Sequence, residues 1–472
     1  MIPLSESRIL DINAESLGID TNTLMGNAGA ALVKVLKQHT GKRFLFVCGS
    51  GNNGGDGFAA AGKMDDEDVT VCLLGLPSFI RSDASNKYYS ELTCPIIQIA
   101  DLDIDKFDVL VDCALGSGIS GKLREPYLTF VMLALSFKGF IISADIPTGL
   151  GCTNQIIPDV TVTFHDVKTG MTTENSGKII IADIGIPESA EKIVGPGDML
   201  RYPLPHKDSH KGCNGRILII GGGPYCGAPA MSGLAALRVG ADLVNIAVPE
   251  NISNVVASYS PEFIVTPLSK EDDPTGRCDI LLLEHVPHLL GISNNYDAVL
   301  IGPGLGVDKE TAKAINDFIF NCKIPMVIDA DAINSIGLGF KSDVPAIFTP
   351  HGGEFINLGG RDALEESNIR DLATSMNSII LLKGETDIIS NGERMRLNTT
   401  GTPAMTTAGT GDVLAGVVTG LLSKGMDAFD AACLGAYICG KAGEHGFEKK
   451  SYGLIATDVI NSIPFVLNKG LR

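Results

Sequence analysis

Residues 44–60 read FLFVCGSGNNGGDGFAA, and this stretch decides the fold. An apolar run from Phe44 to Cys48 breaks into glycines and resumes at once as Phe58-Ala59-Ala60. A buried strand turning sharply into a helix has that composition, because glycine permits both the tight turn and close approach of a ligand. Gly49, Gly51 and Gly54 satisfy G-x-G-x-x-G, the spacing of a dinucleotide-binding turn. The rest of that fingerprint is missing. An acid should end the second strand about 20 residues on, yet the strand expected over 69–74 runs into Gly75 and Leu76. The loop therefore reads as a cradle of another kind. Asn52 and Asn53 tolerate unusual backbone angles and carry amide oxygens, while Gly54, Gly55 and Gly57 let a ligand come close. Asp56 is expected to cap the helix that follows, whose N-terminus attracts phosphate.

Outward from this loop, further apolar runs lie at 69–74, 107–111, 140–144, 160–164 and 178–181. Several are nearly continuous rather than alternating, as in a parallel sheet covered on both faces. With helical spacing over 24–36 ahead of them, the first half reads as a Rossmann-like open α/β sheet. Two more strand ends carry acids. Asp112 leads into Gly116-Ser117-Gly118, and Asp145 into Ile146-Pro147-Thr148-Gly149. Ligands bind outside the carboxyl ends of strands in open sheets, so these loops should converge on the Asn-Gly loop. Asp112, the Asn53 amide and the Thr148 hydroxyl are hard oxygen donors suited to a monovalent or divalent cation.

A second series of strands begins after a polar stretch containing Pro203, Pro205, His206 and Lys207. The boundary is placed there, giving domains 1–205 and 206–472. The strongest signal of the second half is TTAGTGDVLAG at 406–416, small residues opening an apolar helix. Its first N–H groups, from about Gly409 to Asp412, can hold a transferring phosphoryl group, and Asp412 stands ready to take a proton from a hydroxyl nucleophile. Strand ends with chemistry-bearing residues surround it in sequence order: Gly302 to Gly306, Asp329 and Asp331, His351, and Lys383 to Asp387. Gly221-Gly222-Gly223 lacks the G-K-[ST] ending of a P-loop.

Composition narrows the function. Lys+Arg 37 against Asp+Glu 55 gives a net charge of −18 over 472 residues, which argues against a nucleic-acid partner. No run of about 18 uncharged apolar residues is present, and no charged n-region followed by an apolar h-region opens the chain, so no membrane association is expected. Eleven Cys without a C-x-x-C pair read as buried free thiols in a reducing cytoplasm.

GNNGGDG, VDCALGSG and DIPTG together resemble the NAD(P)H-hydrate epimerase domain. The resemblance implies epimerisation of hydrated NADH or NADPH with a potassium ion held by Asn53, Asp112 and Thr148. Asn52, Asn53, Gly54, Gly55, Asp56, the loop Gly116, Ser117, Gly118, Ile119, Ser120, Gly121, Lys122 and Leu123, and Asp145 would face the hydrate. Its reacting carbon is a hemiaminal, so either ring opening or loss and return of the hydroxyl needs proton transfer. Asp145 is the candidate, with Lys168 as an electrostatic helper. Thr148 stands where the family has Ser, and Gly26 where it has Glu.

The second half resembles the ribokinase-like fold, and more narrowly the ADP- or ATP-dependent NAD(P)H-hydrate dehydratase. KGCNGRILIIGGG, GAPAMSGLAALRVGADLV, IGPGLG, TPHGGEF, LLKGETDII and TTAGTGDVLAG carry the likeness. It implies a ribokinase-like α/β/α domain in which ADP (or ATP), with Mg2+, phosphorylates the hydrate, after which phosphate leaves. Ala228, Gly304, His351 and Asp412 would line the hydrate pocket. Lys383, Gly384, Glu385, Thr386, Asp387 and Gly411 would meet the adenine nucleotide. Family likeness also suggests self-association into a homo-oligomer. The alternative is a ribokinase-fold small-molecule kinase with a regulatory N-terminal nucleotide-binding domain.

Overall fold

The computed structural model describes residues 1–64, 67–116, 121–269, 278–361 and 365–471. Two compact units divide it, Met1–Ala190 and Glu191–Arg472. The division falls before the Pro-rich stretch at which the sequence suggests it. Residues ahead of that stretch carry apolar anchors of the second unit: Val194 and Met199 are buried in its core. Val194 N also donates to Leu397 O at 2.8 Å, and Arg396 pairs with Asp198 at 2.9 Å. Proline and polar residues mark exposed chain, but these contacts decide which unit a segment joins.

Among the described residues the first unit holds a parallel sheet of β1 (Arg43–Cys48), β2 (Asp68–Leu73), β3 (Ile96–Gln98), β4 (Val109–Cys113), β5 (Phe140–Ala144), β6 (Val160–Phe164) and β7 (Lys178–Ala182). Their order is β3-β2-β1-β4-β5-β6-β7. Every residue of β4 and β6 is buried, including the polar Asp112, Thr161 and Thr163, as in a sheet covered on both faces. The order reverses between β1 and β4, which opens a crevice at their carboxyl ends.

The second unit repeats the principle with β8 (Arg216–Ile220), β9 (Leu243–Pro249), β10 (Ile264–Leu268), β11 (Ala298–Ile301), β12 (Met326–Ile328), β13 (Ala346–Phe348), β14 (Ile379–Leu382), β15 (Asp387–Ser390) and β16 (Met395–Asn398). The order is β10-β9-β8-β11-β12-β13-β14-β15-β16, parallel up to β14 and antiparallel beyond it. Its switch point lies between β8 and β11. The helix Thr410–Ser423 is buried from Val413 to its end and packs against the helix Gly227–Arg238. Small residues make the approach close. A Cβ on Gly416 would fall 2.2 Å from Ser232 O, and one on Gly420 would fall 2.3 Å from Val239 Cγ1.

Candidate functional site

The crevice of the first unit is built on glycine. The loop after β1 enters the helix Asn52–Ala61 with Gly51 as N-cap. A Cβ on Gly54 would stand 1.9 Å from Gly49 O, and one on Gly49 would stand 2.0 Å from Ala114 O. No side chain fits between these backbones, so the glycines fix the loop between β1 and β4. Asp56 does not cap this helix. The helix starts earlier, at Asn52, which leaves Asp56 one turn inside it.

At the end of β4, Asp112 is fully buried. Its carboxylate accepts from Ser143 Oγ at 2.8 Å, Thr148 N at 2.8 Å, Thr148 Oγ1 at 2.6 Å and Ala114 N at 3.3 Å. Burial pushes its carboxyl up, and the Thr148 and Ser143 bonds pull it back. Thr148 Oγ1 in turn accepts from Leu115 N at 3.1 Å. Asn53 is 7% exposed, and neither its amide oxygen nor its amide nitrogen has a partner among the described residues. An orphaned amide oxygen of this kind is costly unless something binds it. The Asn53 amide oxygen is a hard donor open to a cation, whereas the Asp112 and Thr148 oxygens are already bonded to one another.

Asp145 follows β5 with φ +61°, a left-handed backbone rare for a non-glycine residue. Its carboxylate accepts from Phe164 N at 3.3 Å and from the Lys168 ammonium. Lys168, 1% exposed, also donates to Thr163 Oγ1 at 3.1 Å and Phe164 O at 2.5 Å. Two further acids share this field. Burial and the nearby Asp145 charge push the Asp11 carboxyl up to about 6, with Lys168 opposing. The same causes, joined by Asp11 itself, raise Asp56 well above the carboxylate range. The sequence reading misses Asp11. Its helix, Leu4–Ser16, is distant in sequence, and no motif surrounds it; a local signal is its place beside the buried Ile9 and Leu10.

Gly116 lies against Asn53, since a Cβ there would be 3.2 Å from Asn53 Cβ. Ser117, Gly118, Ile119 and Ser120 lie outside the described residues. Beyond them, Gly121 O accepts from Cys152 Sγ at 3.3 Å. Leu123 also packs on Gly149, 3.1 Å from where a Cβ would be. Gly116, Gly121, Lys122, Leu123, Ile146 and Gly149 are among the residues lining a cavity of about 540 Å³. Asn52 is exposed at the helix start, with Gly54 and Gly55 buried behind it.

In the second unit, Gly409 caps the helix Thr410–Ser423 at φ +93°, and among the described residues no side chain caps its first amides. These groups are available to an anion. Asp412 stands in the first turn, and its backbone carbonyl accepts from Ser232 Oγ at 2.9 Å. Burial and the Asp329 and Asp331 charges push its carboxyl up to about 7, with Lys383 opposing. Lys383 Nζ donates to Asp329 at 3.0 Å and would lie 3.4 Å from a Cβ on Gly411. His351 and Lys383 pair as neighbouring backbone positions at the ends of β13 and β14. The His351 ring caps the helix Gly352–Asn357: Nδ1 accepts from Gly353 N at 3.0 Å and Glu354 N at 3.2 Å. The Nε2 edge is then the donor, and it lies 3.6 Å from Glu354 Oε1. Gly304, at φ +70°, faces Ala228, whose Cβ would be 3.3 Å from a Cβ there.

The loop 383–387 is held from behind. Asp387 accepts from Gly384 N at 3.1 Å and from Asn398 Nδ2 at 3.0 Å, and burial raises its carboxyl. Asn398 is thus committed to shaping this turn and to Thr400, which bonds it at 2.7 Å. Gly384 and Glu385 are exposed, and Thr386 is half-buried. Among the described residues, no cluster of three or more His, Cys, Asp or Glu is arranged to hold a metal.

A family model described as NAD(P)H-hydrate dehydratase matches residues 217–465, and one described as YjeF-related protein N-terminus matches 21–170. A protein of Archaeoglobus fulgidus named bifunctional NAD(P)H-hydrate repair enzyme Nnr is 38% identical over 467 residues, covering 97% of both chains. The protein of the same name from Pyrobaculum aerophilum is 37% identical, over 98% of this chain and 97% of its own. Among solved structures, a ribokinase-like superfamily protein from Enterococcus faecalis aligns with a TM-score of 0.52 at 26% identity, over 59% of this chain and 96% of its own. An ADP/ATP-dependent NAD(P)H-hydrate dehydratase from Bacillus subtilis, co-crystallized with ATP/Mg2+, aligns at 0.50 and 24% identity, over 59% of this chain and 98% of its own. That last likeness is one of fold.

Proposed function

We infer, for a chain that belongs to the bifunctional NAD(P)H-hydrate repair enzymes, that its two units perform consecutive steps on one damaged cofactor. The first interconverts the R and S forms of hydrated NADH or NADPH; the second dehydrates the S form. The observation that carries the reading is the setting of Asp412, a raised carboxyl beside uncapped helix amides, with the Lys383 ammonium against Gly411.

In the second unit the hydrate hydroxyl would attack the terminal phosphorus of ADP, or of ATP, with Mg2+ accompanying the nucleotide. Asp412 takes the hydroxyl proton as the new P–O bond forms and the bond to the bridging oxygen breaks, releasing AMP in the case of ADP. The amides at Gly409 to Asp412 and the Lys383 ammonium hold the phosphoryl charge. The ring nitrogen then expels phosphate as the C–O bond breaks. Loss of a proton from the adjacent carbon restores the dihydronicotinamide. Ala228, Gly304 and the outward edge of His351 would shape the hydrate pocket, and Lys383 to Asp387 with Gly411 the nucleotide side.

In the first unit Asp145 would move the proton that either opens the hemiaminal or releases its hydroxyl. The Lys168 ammonium holds the Asp145 carboxylate in place. The loops at 52–56 and 116–123 would hold the hydrate. Asn53, Asp112 and Thr148 would hold a potassium ion, which supplies fixed positive charge for a phosphate-bearing ligand in an acidic protein. A reducing cytoplasmic setting is proposed from the eleven Cys without a C-x-x-C pair. We further propose small-molecule substrates alone, with no nucleic-acid partner and with self-association as the family likeness suggests.

Incubating the separate R and S hydrates with ADP or ATP, and following each epimer, AMP or ADP, and free phosphate, tests both halves. A stable phosphorylated product that accumulates without regenerating reduced nicotinamide would instead identify a small-molecule kinase.

A further inference from the structure

The end of β12 carries a carboxylate that none of these steps uses. Asp329 is 1% exposed and accepts from Thr349 Oγ1 at 2.7 Å and from Lys383 Nζ at 3.0 Å. Thr349 follows β13 and Lys383 follows β14, so three neighbouring strand ends meet on one buried group. A carboxylate so deep is costly unless paired and hydrogen-bonded, and here it is both. The pairing has a direction. A lysine stem is flexible and its ammonium would otherwise sample many rotamers. Held by Asp329, the ammonium faces Gly411 at the start of the anion loop.

The surrounding charges complete the picture. Asp329 and Asp331 face Asp412 together with Lys383. Asp331 is itself fixed by Gly306 N at 2.8 Å. Lys383 also faces Glu354, on the helix that His351 caps, and these acids keep its ammonium charged against burial.

We propose that Asp329 is a positioning residue for phosphoryl transfer, pinning the Lys383 ammonium at the anion loop and balancing the charge around Asp412. The inference rests on the dehydratase reading above. It predicts a change that loss of packing alone would not produce.

The test uses the full-length protein and the variants Asp329→Asn, Thr349→Val and Lys383→Met. Dehydration is measured from about pH 5 to pH 9, and the Asp412 carboxylate is titrated by NMR in the nucleotide-free protein. Asp329→Asn should lower the plateau rate by about 10–100-fold, the scale of a misplaced catalytic group. It should also move both the acid limb and the Asp412 titration to lower pH, because a like charge has gone. Thr349→Val, which keeps that charge, should leave the limb in place. Lys383→Met should move it to higher pH. An unmoved limb and titration in a folded Asp329→Asn overturn the proposal. Should that variant fail to fold, an unmoved limb in Lys383→Met overturns it. Undiminished dehydration by Asp412→Asn would sink the dehydratase mechanism itself, a separate failure.

Discussion

The Lys168 ammonium, 1% exposed, is buried against the Asp145 carboxylate, whose side chain is only 12% exposed. Any substitution of one therefore acts on the other. Asp145→Asn should abolish epimerisation, but it also leaves an uncompensated buried cation, a loss of about 3–5 kcal/mol. The double variant Asp145→Asn with Lys168→Met removes both charges and should regain most of that stability without regaining activity. Thermal unfolding and epimer exchange on the same samples separate the two effects. If the double variant epimerises at the original rate, Asp145 is not the proton-transfer group.

Asp412 makes a pH prediction of both activity and stability. With its carboxyl near pH 7, the dehydration rate should fall about tenfold per pH unit below that point, because the proposed base acts only when ionised. For stability the sign is opposite to that of an ordinary salt-bridged acid. The folded carboxyl binds its proton more tightly than the unfolded one, so the folded state loses ground as pH rises from about 4 to about 7. Asp412→Asn removes this cost. It should match the parent near pH 4 and exceed it at pH 8 by about 1–2 kcal/mol, allowing for solvent screening. Dehydration should be lost by orders of magnitude.

Asn53 tests the cation site. Asn53→Ala removes the unpartnered amide and should weaken potassium-dependent epimerisation by about 10–100-fold, while dehydration stays unchanged. Epimer exchange measured across a KCl series, with LiCl holding ionic strength, reads the effect. An unaltered potassium response would remove Asn53 from the ligand set.

Gly54→Ala should fail for a purely steric reason. Its Cβ would meet a backbone carbonyl at 1.9 Å, and backbone cannot step aside as a flexible side chain can. The cost should reach or pass the upper end of the about 1–3 kcal/mol of ordinary overpacking. Epimerisation should disappear while dehydration persists. Differential scanning calorimetry should then show a lowered transition for the first unit.

Local chemistry made much of the molecule legible from its residues. The run Phe44 to Cys48 breaking into glycine marks a strand meeting a helix, and the acids Asp112 and Asp145 mark strand ends. Small residues at 406–412 mark a helix start exposed to an anion. Long-range pairing was less visible. Asp11 joins the field of Asp145 from a helix with no motif, and Asp329 meets Lys383 across the one intervening strand end, that of β13. The short β15 and β16 mix apolar and polar residues, so their hairpin left little periodic signal. Asp56 has the composition of a cap, but Gly51 takes that role, and only the folded backbone reveals where the helix begins.

The close seam between helices Gly227–Arg238 and Thr410–Ser423 has an evolutionary consequence. Ala228 stands at the start of one and Asp412 at the start of the other, and Ser232 ties the two. Selection can therefore reshape the surrounding loops, but a single added methyl at Gly416 or Gly420 would shift Asp412 and Ala228 relative to each other. Lineages that change substrate should vary the strand-end loops and leave this pair of glycines alone.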